Sequence, residues 1–327
     1  MDTFPISTFS LDAFAAGTNN RLLLHVFDEL IRPVTLPTLV AKGRKPGRTL
    51  LVVAGVHGDE YEGMEAIRHV FAELDPERMC GAFVAIPVAN PFAYEARARI
   101  APLHVDGLNL ARVFPGDPDG TPSRRLASAL LDLVERTVGP DDLFLDFHSG
   151  SADVPYATLI GVRDVPGPAT ARAEAAARHF GVHRLWRIPD SLGPFNAETA
   201  RRGIPTLGTE TTGRAGCDPA DVADYVRGLR NLLAYLGICP DLPVPPPLDA
   251  PLRSSVDVVA PATGFLRMAC GRDDEVAAGE LLGTVIDVFG DAVAEVRTPV
   301  AGTLWAARSM PPVRVGELIA TIAMCAE

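Results

Sequence analysis

Leu50-Leu51-Val52-Val53-Ala54-Gly55-Val56-His57-Gly58-Asp59-Glu60 begins as an unbroken apolar run and ends on glycine, histidine and two carboxylates. A Leu- and Val-rich run without polar alternation is what a strand covered on both faces looks like, as inside a parallel sheet. Ligands of open α/β sheets bind beyond the carboxyl ends of such strands, which is where His57 and Glu60 fall. Imidazole and carboxylate both ligate zinc, and a catalytic zinc takes three protein ligands and keeps a fourth position open. Alone, His57 and Glu60 are equally well two polar residues in a strand-to-helix loop. The reading depends on a third ligand elsewhere.

Outward from that stretch, 21–27 and 33–42 read as strands leading into the central one at 49–54. Apolar residues at helical spacing (Met64, Ile67, Val70, Phe71, Leu74) make 62–74 an amphipathic helix. Another apolar run, 81–89, is a strand stopped at Asn90-Pro91, because proline does not continue a central strand. The segment 93–122 shows no period, and long irregular loops in compact domains are usually functional. A helix is expected over 123–138 and a short buried strand over 142–147, ending on His148-Ser149-Gly150 and so repeating the arrangement at His57. Strands at 156–162 and 183–188 flank a helix at 168–180. The strand 204–209 delivers Glu210, and 218–236 is a helix capped by Asp218 or Asp221. Strands alternating with helices predict an α/β fold with a mixed, largely parallel sheet flanked by helices.

After Cys239 the run Pro240-Asp241-Leu242-Pro243-Val244-Pro245-Pro246-Pro247 is a stiff linker. The expected organisation is an α/β domain over 1–240, a linker over 241–250 and a small all-β domain over 251–327, as two packing units. That last part contains a repeat. Pro261-Ala262-Thr263-Gly264-Phe265-Leu266 is echoed by Pro299-Val300-Ala301-Gly302-Thr303-Leu304, and Gly279-Glu280-Leu281-Leu282 by Gly316-Glu317-Leu318-Ile319. It resembles a biotinyl/lipoyl-type barrel-sandwich. No lysine follows Lys45, so no cofactor is attached there through lysine, and a structural or access-limiting role is expected.

Composition narrows the function. The 327 residues are 47% hydrophobic and 22% charged, as in ordinary globular proteins. A formal net charge of -11 argues against nucleic acid or an anionic membrane as partner and leaves a homo-oligomer open. Met1-Asp2-Thr3-Phe4-Pro5 lacks the basic start and apolar core of a secretory signal, and five scattered cysteines without a C-x-x-C pair suit a reducing, cytoplasmic setting.

Three strand ends thus offer His57 with Glu60, His148, and Glu210. Two histidines and one carboxylate can fill three zinc positions, one ion per chain, and Glu210 is then free to act as general base on water. Asp59 and Asp146 are candidates to orient the histidines from behind. His104 is read as a loop histidine, and Arg201-Arg202 as a solvated pair at a helix end.

Gly55-Val56-His57-Gly58-Asp59-Glu60, Asn90-Pro91, the segment from Asn109-Leu110-Ala111-Arg112 to Phe114-Pro115-Gly116, Asp146-Phe147-His148 and Glu210 resemble the succinylglutamate desuccinylase/aspartoacylase family, within the zinc carboxypeptidase-like superfamily. The resemblance covers roughly residues 45–240 and implies zinc on His57, Glu60 and His148, with Glu210 as catalytic base. By position it implies that Arg99 polarises the scissile carbonyl and that Arg112, with Asn109 beside it, holds the substrate. Where the family usually reads Asp-Leu-Asn-Arg, this chain has Asn109-Leu110-Ala111-Arg112. The implied activity is a zinc-dependent removal of an acetyl or succinyl group from a small N-acyl amino acid. The alternatives are a zinc carboxypeptidase acting on a peptide or peptidoglycan fragment, or a non-catalytic metabolite-binding protein.

Overall fold

The computed structural model describes residues 2–30 and 32–325. Strands β1 (Asp2–Pro5), β2 (Thr18–Asp28), β3 (Pro33–Lys42) and β4 (Lys45–Val53) open the chain, and helix α1 (Glu62–Glu73) connects β4 to β5 (Cys80–Ile86). Helices α2 (Pro91–Ala96) and α3 (Pro122–Thr137) lead to β6 (Leu143–Asp146). Then follow β7 (Leu159–Arg163), α4 (Pro168–Phe180), β8 (Leu185–Ile188), α5 (Phe195–Arg201), β9 (Thr206–Glu210) and α6 (Pro219–Tyr235). Beyond the proline-rich segment come β10 (Leu252–Val259), β11 (Gly264–Met268), β12 (Glu275–Val276), β13 (Leu281–Ile286), β14 (Ala292–Arg297), β15 (Gly302–Ala307), β16 (Pro312–Val313) and β17 (Leu318–Met324). Among the described residues no helix is long and apolar enough to cross a membrane.

The expected mixed sheet is present. Strands β5, β4, β6 and β9 run parallel side by side, while β3 and β7 pair antiparallel at either flank. Side chains alternate across β4 as a pleated strand requires. Leu50 and Val52 enter the core beneath α1, α4 and α6, and Leu51 and Val53 enter the opposite core beneath α3 and α5. Covering on both faces is why this strand is apolar throughout instead of alternating.

Two short helices depart from the expected irregular segments. At α2, Asn90 accepts from the Ala93 N–H at 3.2 Å and Pro91 occupies the first turn, a cap-plus-proline start. Strand β5 ends earlier than expected, at Ile86, and Pro91 serves to begin the helix. At α5 every residue from Phe195 to Ala200 is buried, so no amphipathic period marks it. At α6, Asp218 is the cap, accepting from Ala220 N–H at 2.8 Å, and Asp221 is buried.

The sheet continues past the proline-rich segment. Strand β10 pairs parallel with β8, Leu252 opposite Leu185, and β17, β15 and β12 extend the same sheet to 13 strands. A second sheet, in the order β14-β13-β11-β16, packs across a core built on Leu266, Leu282, Val285, Leu304 and Ile322. The sequence repeat maps onto β10–β13 and β14–β17, and its pairing is reciprocal. β12 of the first copy pairs with β15 of the second, and β16 of the second with β11 of the first. Likewise β10 pairs with β17, and β14 with β13. Both repeat glycines abut backbone: a Cβ on Gly264 would lie 2.3 Å from Ile286 O, and one on Gly302 2.1 Å from Ala323 O.

Candidate metal centre

Three neighbouring parallel strands carry the site. Val53 of β4 is opposite Asp146 of β6, and Asp146 opposite Gly208 of β9, so their carboxyl ends finish level. The chain leaves β4 through α1 to β5 on one side, while β6 lies on the other. That is a topological switch point, where a crevice opens above the sheet. The loop after β4 turns at Gly55, at φ 68°. It packs so tightly on α2 that a Cβ on Gly58 would sit 2.1 Å from the Ala93 carbonyl carbon, which restricts this position to glycine.

That loop, and the one after β6, bring His57, Glu60 and His148 together with one ligand atom from each within 4.8 Å of the others. Asn109 Oδ1 accepts the backbone N–H of Ala111 at 3.0 Å, which identifies it as the amide oxygen. His57 Nε2, 3.1 Å from the same oxygen, is therefore the protonated nitrogen. His57 Nδ1 is left as a bare lone pair, 2.8 Å from Glu60 Oε1 but without a hydrogen bond. Burial, then the Arg99 charge, bring the His57 pKa down to about 4, so the ring stays neutral. A buried nitrogen lone pair facing a carboxylate oxygen is the arrangement a cation resolves.

His148 is the counterpart. Its Nδ1 lies 3.0 Å from Glu60 Oε2 and its Nε2 3.2 Å from Asp146 Oδ2. Burial opposes a charged ring, but Asp146 and Glu60 outweigh it and hold the His148 pKa well above its ordinary value. Both histidines thus aim Nδ1 at Glu60 and are held from behind at Nε2, His57 by an amide and His148 by a carboxylate. Glu60 also accepts from Arg99 Nη1 at 2.8 Å, Ser151 Oγ at 2.9 Å and Ser149 N–H at 3.2 Å. Burial pushes its carboxyl up, and the charge and hydrogen bond of His148 outweigh that and hold it well below the usual range. Asp59 does not hydrogen-bond either histidine: it is buried and accepts from Ala152 N–H at 3.3 Å. From the sheet side, the Tyr225 hydroxyl donates to the His148 carbonyl at 2.5 Å.

Above these groups lies a cavity of about 590 Å³. Glu210, at the end of β9, faces it with Oε2 unpartnered, and burial, then the Glu60 charge, push its pKa up to about 8. Arg99 lines the wall and also donates to Ser151 Oγ. Arg112 donates to the Ala111 carbonyl at 2.9 Å and has no carboxylate in ion-pair reach among the described residues. Asn109 commits its oxygen to His57 and Ala111, leaving Nδ2 for an occupant of the cavity. His104 is exposed outside the cavity. Arg201 and Arg202 pair with Asp190, Glu198 and Glu135.

Sequence reasoning missed several lining groups. Arg163, on β7, donates to Asn196 Oδ1 and the Pro189 carbonyl, both at 2.7 Å, and burial brings its pKa down to about 10. Ser149 and Ser151 directly follow His148, a signal that was available. Asp257, Arg308 and Glu317 come from beyond the proline-rich segment, and nothing in their local sequence marks them.

Comparison with known proteins agrees with this geometry. Residues 46–236 match the model of the succinylglutamate desuccinylase/aspartoacylase catalytic domain. The N-alpha-acetyl-L-2,4-diaminobutyric acid deacetylase of Halomonas elongata is 33% identical over 308 residues, covering 90% of this chain and 87% of that protein. The crystal structure of a succinylglutamate desuccinylase/aspartoacylase from Rhodobacter sphaeroides superposes with a TM-score of 0.83 at 27% identity, over 94% of this chain and 96% of that one. The product-bound ectoine utilization protein EutE (DoeB) from Ruegeria pomeroyi gives 0.81 at 25%, over 94% and 95%. By its match over residues 46–236 and its 33% identity to the deacetylase, this chain belongs to the succinylglutamate desuccinylase/aspartoacylase family.

Proposed function

We propose that the protein is a zinc-dependent amidohydrolase that removes a small acyl group from an N-acyl amino acid, with His57, Glu60 and His148 as ligands of one zinc ion per chain. The observation that carries this reading is His57 Nδ1, buried without a hydrogen-bond partner and 2.8 Å from Glu60 Oε1, beneath a small-molecule cavity. A family relative acts on an N-acetylated amino acid and a structural neighbour is named a desuccinylase, which supports acetyl- or succinyl-type substrates.

Zinc held by His57, Glu60 and His148 would supply Lewis acidity. Glu210 is the group placed to take the proton of the attacking water. Its Oε2 faces the cavity without a hydrogen-bond partner, a position from which a carboxylate can take a proton and later return it to the leaving amine. Arg99, beside Glu60, is the cation nearest the ligands and polarises the scissile carbonyl. Arg112 holds the substrate carboxylate, and Arg163 adds a second cation without a carboxylate partner. Asn109 orients His57 and offers Nδ2 toward the substrate.

The test is a screen of N-acetyl- and N-succinyl-amino acids with metal content measured on the same sample. Release of acetate or succinate in proportion to bound zinc is expected. Release of a C-terminal residue from peptides, with N-acyl amino acids inert, would replace this reading by a carboxypeptidase.

A further inference from the structure

Four carboxylates line the cavity: Asp153, Glu210, Asp257 and Glu317. Arg308 neutralises two of them, at 3.2 Å from Asp153 Oδ2 and 3.0 Å from Glu317 Oε2. Glu210 stands beside the metal ligands. Asp257, on β10, is different. No arginine, lysine or histidine lies in ion-pair reach of it among the described residues, yet its position is fixed. Thr321 Oγ1 donates to Asp257 Oδ1 at 2.7 Å. A hydroxyl has one proton to give, so at 3.1 Å the Thr321 oxygen accepts from the Tyr156 hydroxyl. The chain Tyr156→Thr321→Asp257 therefore has a single direction, and it ends on a carboxylate tethered through one oxygen.

The same tyrosine ties Asp257 to the reaction centre. Burial, followed by the charges of Glu210 and Asp257, raises the Tyr156 pKa. Both carboxylates thus lie in electrostatic reach of one hydroxyl and line one cavity, Glu210 in its wall and Asp257 at its exposed rim. The wall around them has an uneven charge pattern. Among the described residues Arg112 and Arg163 have no carboxylate partner in ion-pair reach, and Asp257 has no cationic one. An occupant that satisfies all three carries a carboxylate and, separately, a positive group.

We infer that Asp257 is the specificity-determining residue for the amino-acid portion of the substrate: its free oxygen receives an alkylammonium on the substrate side chain, while Arg112 and Arg163 take the α-carboxylate. This rests on the N-acyl amino acid reading above. A second carboxylate on the substrate, as in N-acylaspartate or N-acylglutamate, meets like charge at Asp257 and is disfavoured, so the same residue selects by attraction and by repulsion.

The zinc-loaded enzyme is assayed on Nα-acetyl-2,4-diaminobutyrate and Nα-acetyl-2-aminobutyrate, which differ by one ammonium, and on N-acetylaspartate. The expected preference for the diamino substrate over its uncharged counterpart is roughly ten- to hundred-fold in kcat/KM, the worth of a charge-assisted hydrogen bond. In Asp257→Asn that preference falls below about threefold through KM, and Asp257→Glu restores part of it. Asp257→Ser gives the same readout should Asp257→Asn not fold, with zinc content and thermal unfolding reporting folding. A wild-type preference for the uncharged or acidic substrate, or a preference that survives in the variants, overturns the role of Asp257 and leaves the deacylase reading standing. A wild-type enzyme inert on all N-acetyl and N-succinyl amino acids removes the deacylase reading and this inference with it.

Discussion

The amide oxygen of Asn109 accepts the Nε2 proton of His57 at 3.1 Å, and this one contact decides which nitrogen of the ring is free to bind a metal. Its counterpart at His148 is the carboxylate of Asp146. An amide fixes the tautomer but lends the imidazole less electron density than a carboxylate does. In Asn109→Leu the proton can move to Nδ1, and zinc affinity should fall roughly ten- to a hundred-fold. Asn109→Asp should raise it. Competition titrations against a chelator of known affinity measure both, and equal affinities in all three proteins would show that the contact does not set the tautomer.

Removing a ligand is a separate matter from loosening one. His57→Ala, Glu60→Ala and His148→Ala should each purify with little zinc while keeping the wild-type far-ultraviolet circular dichroism, since the sheet beneath is built by other residues. Stoichiometric zinc in His148→Ala would exclude it as a ligand.

Glu210 stands outside the ligand cluster, so Glu210→Gln should retain zinc and lose turnover. A general base contributes roughly a hundred- to ten-thousand-fold, and the loss should appear in kcat with KM nearly unchanged. Loss of zinc in this variant would make Glu210 a ligand instead.

The same residue leaves a signature in the stability of the metal-free protein. A carboxyl raised from its ordinary value to about 8 in the folded state favours folding while it is protonated. That contribution is complete below the unfolded pKa and is lost progressively as pH rises to about 8. Wild-type metal-free protein should therefore lose stability across roughly pH 4.5–8, and Glu210→Gln should lack that part of the slope. Urea unfolding midpoints across this range test it. Parallel curves for the two proteins would contradict it.

How much of this was legible from the chain depends on where each contact is made. The β4, β6 and β9 ends could be read because His57, His148 and Glu210 each come at the close of a short buried run, and local pattern carries both the strand and its end. Helix α5 could not, because Phe195 to Ala200 are all buried, polar and apolar alike, so no solvent-facing stripe sets a period. Arg163 and Asp257 were invisible for another reason. They reach the cavity through the pairing of β7 with β9 and of β10 with β8, and such pairings are set by packing between distant segments. Asn109 was placed in the right loop, but its bond to His57 spans 52 residues.

The join at β8 gives a further prediction. Trp186 on this strand donates to Ser255 Oγ at 2.9 Å and meets Trp305 edge-on, with ring centroids 6.4 Å apart. A protein ending at residue 250 would leave β8 as an open edge beside an uncovered tryptophan, the situation that promotes intermolecular pairing. It should aggregate or self-associate, as read by size-exclusion chromatography with light scattering. A monodisperse, cooperatively unfolding 1–250 fragment would show that the α/β part needs no cover.

The reciprocal pairing of the C-terminal repeat has a consequence for how such a unit comes into being. Within β10–β13 only β11 and β13 pair with each other, and within β14–β17 only β15 and β17; the remaining strands find their neighbours in the opposite copy. One copy by itself is an open half-clasp: its antiparallel pair exists, but its other two strands need the opposite copy to close the unit, β10 alone having a further neighbour in β8. The two halves are thus coupled like interlocked hooks, gaining or losing structure together, and the strand that presents Asp257 is held in place by the last strand of the chain.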